Sequence, residues 1–197
     1  SVPFQAGAAD RLLRYLDLLQ RWNATYNLTA VRDPQEMLTQ HLFDCLAVLA
    51  PLCRERPGGG RILDVGSGGG LPGVVIALVC PQFDVTCVDT VGKKAAFITQ
   101  AAATLGLPHL HAEHARVEQL NAPPFDVITA RAFASLSDLV QLTSRHLAPG
   151  GVWMAMKGKR PDAEMAALPA NIEVFHVEPL HVPGLSAERC LVWMRPK

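Results

Sequence analysis

The chain has 197 residues, 18 Lys+Arg balanced by 18 Asp+Glu, 49% hydrophobic residues and only 18% charged ones. This length predicts one domain that buries roughly 70% of its unfolded surface, and the composition excludes a disordered or acidic solvating protein. Zero net charge means that any nucleic-acid footprint must be a local basic patch.

In residues 10–22, Leu12, Leu16, Leu19 and Trp22 recur at helical spacing between charged residues, which predicts an amphipathic helix. A second helix opens at Asp33-Pro34-Gln35-Glu36, with Asp33 as cap, Pro34 at the first helical position and Glu36 at capping-box spacing. Its apolar stripe is Leu38, Leu42, Cys45, Leu46 and Leu49. Pro57-Gly58-Gly59-Gly60 then breaks the chain, so residues 1–56 read as a helical extension and 57–197 as one compact unit.

From Arg61 short β-rich runs alternate with helical ones. Strands are expected at Arg61–Val65, Val85–Val88, Leu110–Glu113 and Asp126–Thr129. Helices are expected at Pro72–Cys80, Lys93–Leu105 and from the cap Ser135 to about Leu147. Ala148-Pro149-Gly150-Gly151 reads as a turn before the strand Val152–Met156, and Ile172–Val177 with Cys190–Met194 as a closing strand pair. The alternation predicts an α/β, mainly parallel, doubly wound sheet of Rossmann-like type.

Mean hydropathy is +0.17. The longest uncharged stretch near the middle, Val65–Phe83, holds five Gly and two Pro, so no membrane span is expected. Ser1–Gly7 does not read as a signal peptide, and Ser1 suggests a trimmed or tagged start. Five cysteines without a C-x-x-C pair fit a reducing cytoplasm. His109, His111 and His114 lack partners at ligand spacing, so no metal is expected.

The segment from Asp64 to Gly73 reads Asp-Val-Gly-Ser-Gly-Gly-Gly-Leu-Pro-Gly and joins the first strand to a helix. Two phases compete. Gly68-x-Gly70-x-x-Gly73 matches a dinucleotide loop, which implies an NAD(P)-dependent oxidoreductase. Asp64-x-Gly66-x-Gly68-x-Gly70 places a carboxylate at the strand end, where it orients the ammonium of S-adenosylmethionine (SAM). Beside a pyrophosphate that carboxylate is unwelcome. Asp89 ends the second strand and suits a ribose of either cofactor.

Trp22-Asn23-x-x-Tyr26-Asn27-Leu28-Thr29, His41-x-x-Asp44, the glycine loop, Arg131-Ala132-Phe133-Ala134 and Lys157-Gly158 follow in this order. Together they resemble the bacterial small-subunit ribosomal RNA guanine-N7 methyltransferases, the glucose-inhibited division protein B family, over about Leu12 to Trp193. The resemblance implies SAM as cofactor and 16S ribosomal RNA, within the small ribosomal subunit or an assembly intermediate, as substrate. It carries cofactor contacts to Gly66, Leu71, Val117, Glu118 and Arg131, beside Asp64, Gly68, Gly70 and Asp89 from the loop reading.

Methyl transfer from a sulfonium is an in-line displacement governed by alignment. The polar-Pro-Pro-aromatic motif of exocyclic-amine methylation is missing after the fourth strand, which reads Thr129-Ala130-Arg131-Ala132-Phe133, and no cysteine nucleophile lies there. Guanine N7 needs neither a base nor a nucleophile, so Arg131 is expected to position cofactor or substrate. Lys157, Lys159 and Arg160 form the best basic cluster for RNA phosphates, with Arg189 and His41 added to that face. His41 and Asp44, three apart, are expected to pair, either beside the substrate or as an interhelical brace. Trp22 and Tyr26 read as core rather than as base-stacking groups. A SAM-retaining, non-catalytic ribosome-assembly factor is the third reading. A small neutral enzyme is expected to act as a monomer and to need a folded subunit rather than free RNA.

Overall fold

The computed structural model describes residues 6–133 and 135–197. The motif residue Ala134 lies outside them. Helix α1 (Ala8–Tyr26) buries Leu12, Tyr15, Leu16 and Leu19 along one face, as the periodicity requires. The second helical segment is not one α-helix. It starts as α2 (Pro34–Met37), passes through a π-helical stretch (Leu38–Phe43), and resumes as α3 (Asp44–Leu46) and α4 (Leu49–Glu55). The Asp33 carboxylate accepts from Glu36 N–H at 3.0 Å, so the cap is where the sequence puts it. Insertions of this π type are frequent at functional sites; here the stretch carries His41 and leads into Asp44.

The sheet is built from β1 (Gly60–Val65), β2 (Phe83–Asp89), β3 (Leu110–His114), β4 (Phe125–Ala130), β5 (Leu147–Lys157), β6 (Ile172–Pro179) and β7 (Cys190–Pro196). Between them run α5 (Gly73–Val79), α6 (Gly92–Leu105), α7 (Leu136–Thr143) and the short α8 (Asp162–Ala166), the last not foreseen. Strand order is β3-β2-β1-β4-β5-β7-β6. β1 to β5 are parallel, and β7 pairs antiparallel with both β5 and β6. The order reverses beside β1, so the carboxyl ends of β1 and β4 open a crevice, where such sheets take ligands.

Strand residues alternate between two buried layers. Ile62, Val85, Val127 and Met154 face α1, α4, α5 and α6, while Leu63, Val88, Ile128 and Trp153 face α7. The turn expected at Ala148–Gly151 lies within β5: Phe125 pairs with Leu147 and Val127 with Val152, so a two-residue step along β4 matches a five-residue step along β5 and the register shifts there. α7 also ends sooner than expected, tightening into a 3₁₀ turn (Ser144–His146).

The N-terminal helices brace the glycine loop. Tyr15 Oη donates to Gly69 C=O at 2.6 Å in a fully buried contact. A Cβ on Gly69 would lie 2.9 Å from Leu19 Cδ1, so the loop backbone rests against α1. Trp22 packs edge-on against Phe97 of α6 with centroids 5.5 Å apart, in keeping with its core reading. Tyr26 lies tilted against Trp22 with centroids 5.1 Å apart and is exposed, so it is not the core residue expected.

Candidate functional site

Three cavities meet at the carboxyl edge of the sheet. The first, about 560 Å³, is floored by Val65 and Gly66 and walled by Asp89, Val117, Glu118 and Phe133. A smaller one of about 180 Å³ lies under the loop, between Gly66–Gly69, Leu71, Thr29 and Arg131. The third, about 360 Å³, is polar and lined by Gln40, His41, Asp44, Arg131, Lys157 and Arg189. Gly66 borders the first and second, and Arg131 the second and third.

The loop's shape is fixed by carboxylates from below. Asp89 Oδ2 accepts from Gly68 N–H and Oδ1 from Val91 N–H, both at 2.9 Å, while its side chain still borders the large cavity. Gly66, Gly68 and Gly70 all have positive φ (66°, 58° and 88°), a backbone that side-chain-bearing residues rarely adopt. Gly70 borders none of the three cavities; its tight contact is with Val74, where a Cβ would collide.

Asp64 lies at the carboxyl end of β1, as the sequence places it. It is fully buried beneath the loop and borders none of the cavities. Its Oδ2 accepts from Gly73 N–H at 2.8 Å, and its Oδ1 has no partner. Burial pushes its pKa up to about 7, opposed by the Gly73 hydrogen bond and the Arg131 charge. The side chain thus holds the loop's exit through the Gly73 N–H. The same bond weakens the dinucleotide phase: the first N–H of α5, which a pyrophosphate would need, is already taken by a carboxylate.

Leu71 and Arg131 line the small cavity, and Val117 and Glu118 the large one. Val117 and Glu118 come from a 3₁₀ turn (Val117–Gln119) after β3, held from behind by a 2.7 Å contact between His146 Nε2 and Val117 C=O. Lys94 borders both cofactor-side cavities and reaches Asp89 at 4.0 Å. The sequence reading missed it; its only signal was a lysine pair opening the helix after the second strand. Among the described residues no cluster of metal-ligating side chains occurs.

The polar cavity is organised by a chain of hydrogen bonds from α1. Asn23 Oδ1 accepts from Thr29 N–H at 2.8 Å, Thr29 Oγ1 meets His41 Nε2 at 2.7 Å, and His41 Nδ1 lies 3.3 Å from Arg131 Nη1. Arg131 also donates to Gln40 C=O at 3.1 Å and sits 3.7 Å from Asp44. Asp44 Oδ1 accepts from Arg189 Nε at 3.0 Å. His41 and Asp44 therefore do not pair with each other; they share Arg131. Burial and the Arg131 charge lower the His41 pKa to about 4, so it is neutral and not one of the cations. Burial raises the Asp44 pKa, with both arginines opposing.

The expected basic cluster is split. Lys157 and Arg189 line the polar cavity, whereas Arg160 borders a separate cavity beside α8 and β6. Lys157 is bound by Glu164 at 2.8 Å, and Arg160 by Asp162 at 2.7 Å. Lys159 is exposed. Charge runs read from sequence do not show which acidic side chain returns from the next helix.

The model of the family "rRNA small subunit methyltransferase G" (GidB) matches residues 8–192. The ribosomal RNA small subunit methyltransferase G of Leptothrix cholodnii is 66% identical over 196 residues, covering 99% of this chain and 90% of that one. Among solved structures, TrmN from Thermus thermophilus superposes with a TM-score of 0.62 at 21% identity, covering 81% of this chain and 53% of its own. A SAM-dependent methyltransferase from Aquifex aeolicus gives 0.60 at 16% identity, covering 82% and 93%. The two solved structures share the fold.

Proposed function

The chain belongs to the rRNA small subunit methyltransferase G family, and we propose from this that it transfers the methyl group of SAM to N7 of one guanine in 16S ribosomal RNA. The observation that supports this reading best is the position of Arg131, which borders both the small cavity under the glycine loop and the polar cavity lined by Lys157 and Arg189. A cofactor crevice and a basic, base-sized cavity thus share one wall.

The residues suit SAM. The large cavity offers the Asp89 carboxylate for ribose hydroxyls, with the apolar Val117 and Phe133 for an adenine ring. The small cavity under Gly66–Gly69 suits an amino-acid moiety, with Arg131 available for its carboxylate. Ser67 Oγ is buried there without a partner in the protein. When bound, SAM supplies an electrophilic methyl on a sulfonium.

The protein's own work is then alignment and exclusion of water. Guanine N7 carries an unprotonated lone pair, so no residue has to remove a proton, and the site offers no poised base. His41 is held neutral and already hydrogen-bonded on both nitrogens. In this reading Lys157 and Arg189 engage RNA phosphate, and the enzyme works in the cytoplasm as a monomer on the folded small subunit. Among the described residues no helix is long and apolar enough to cross a membrane. The test is transfer of labelled methyl from SAM to small subunits of a strain lacking the activity, followed by nucleoside analysis. Label in N7-methylguanosine is expected; label in any other nucleoside refutes the proposal.

A further inference from the structure

The segment after β5 reads Lys157-Gly158-Lys159-Arg160-Pro161-Asp162-Ala163-Glu164, three cations followed closely by two carboxylates. The fold turns the acids back onto the bases. Glu164, on α8, receives Lys157 Nζ on both oxygens, at 2.8 and 3.1 Å, and its Oε2 also accepts from Leu136 N–H at 2.9 Å. Asp162 Oδ1 accepts from Arg160 Nε at 2.7 Å. Across the cavity rim Arg189 is bound to Asp44. Among the described residues of this run, only Lys159 has no acidic partner.

A cation with a carboxylate 3 Å away presents a dipole to an approaching phosphate, and a dipole's field decays faster than a single charge's. RNA affinity that depends on counterion release needs cations that are free at long range. The Arg160–Asp162 pair is exposed and weak, so a phosphate brought to the site by shape displaces that carboxylate at little cost, whereas the half-buried Lys157–Glu164 pair yields only to a phosphate that fits closely. The arrangement therefore suppresses capture of arbitrary RNA while permitting engagement of a substrate that fits.

We propose that Asp162 and Glu164 act as charge masks over Arg160 and Lys157, and so set the enzyme's preference for a folded ribosomal particle over protein-free RNA. This rests on the function proposed above. The masks are specificity-determining residues for the RNA and touch neither the cofactor cavities nor the reacting atoms.

The test is the double variant Asp162→Asn, Glu164→Gln, which keeps side-chain size and leaves an amide oxygen to accept from Leu136 N–H. Affinity for protein-free 16S RNA and for small subunits would be measured across salt concentrations. The variant should bind free RNA on the order of tenfold more tightly at low salt, with a log–log salt slope steeper by about 1–2. Its gain on subunits should be smaller, so the preference shrinks. Unchanged or weaker binding to free RNA, or an equal gain on both, overturns the proposal. If the double variant does not fold, Asp162→Asn alone, on an exposed pair, should still steepen the slope by up to about 1, and no change there overturns it equally. Failure of the wild type to make N7-methylguanosine would sink the function and not the masking, which is read from binding alone.

Discussion

His41 Nδ1 lies 3.3 Å from Arg131 Nη1, and that contact fixes the state of the imidazole. A guanidinium only donates, so Nδ1 must accept and the ring proton must sit on Nε2, from which it is donated to Thr29 Oγ1 at 2.7 Å. The N-terminal helices thereby set the orientation of an arginine at the end of β4. Protonating His41 would place a second proton between ring and guanidinium and break the chain.

The sign of the pH effect follows. The folded-state pKa of His41, about 4, lies below the ordinary 6.5, so its contribution to stability is complete above 6.5 and is lost as pH falls toward 4. The loss amounts to no more than about 3 kcal/mol for this group. Urea unfolding of wild type and His41→Asn between pH 4.5 and 7.5 should show the wild type losing its advantage over that window. Parallel curves would contradict the assigned tautomer.

Asp64 predicts the opposite slope. Its folded pKa, about 7, lies above the ordinary carboxylate value, so its contribution is greatest below about pH 4 and fades as pH rises through 7. Asp64→Asn retains an acceptor for Gly73 N–H and should flatten that slope. Asp64→Ala leaves a buried N–H unpaired, costs about 1–3 kcal/mol, and should weaken SAM binding by loosening the loop. Calorimetric titration with SAM checks both. Full affinity in the alanine variant would contradict a structural role for this side chain in the cofactor site.

Tyr15→Phe removes one oxygen 54 residues from its partner, Gly69 C=O. The expected cost is about 1–2 kcal/mol of stability, together with weaker SAM binding although Tyr15 borders no cofactor cavity. Thermal unfolding with and without SAM separates the two effects. A stability loss with unchanged SAM affinity would show that α1 supports the fold but not the loop.

Lys157→Ala should leave SAM affinity unchanged and reduce engagement of small subunits, lowering the salt slope of binding to them by about 1. A change in SAM affinity instead would move Lys157 to the cofactor side of Arg131.

Most of the architecture was legible because it rests on local signals. The Asp33 and Ser135 caps, the short β-rich runs and the positive-φ glycines each specify their own element. What escaped depends on distant partners. The π-helical stretch at Leu38–Phe43 keeps an α-like apolar stripe, so periodicity does not reveal it. The burial of Asp64 away from the cavities, the neutrality of His41 and the masking of Lys157 by Glu164 all arise from side chains brought together across the fold. Residue types announced the site; their protonation and pairing did not appear until the chain was folded.

The most direct test of the central claim is to map the methyl group on the RNA. N7-methylation gives the guanine a cationic imidazolium ring that is open to reduction and then to strand scission, which distinguishes it from methylation at carbon or at an exocyclic amine. Small subunits from a strain lacking the enzyme would be incubated with SAM and the protein, and their 16S RNA reduced, cleaved and sized. A single new break at one guanine, absent without SAM, is the predicted result. Transfer of label without a break, or breaks at many guanines, would contradict the claim.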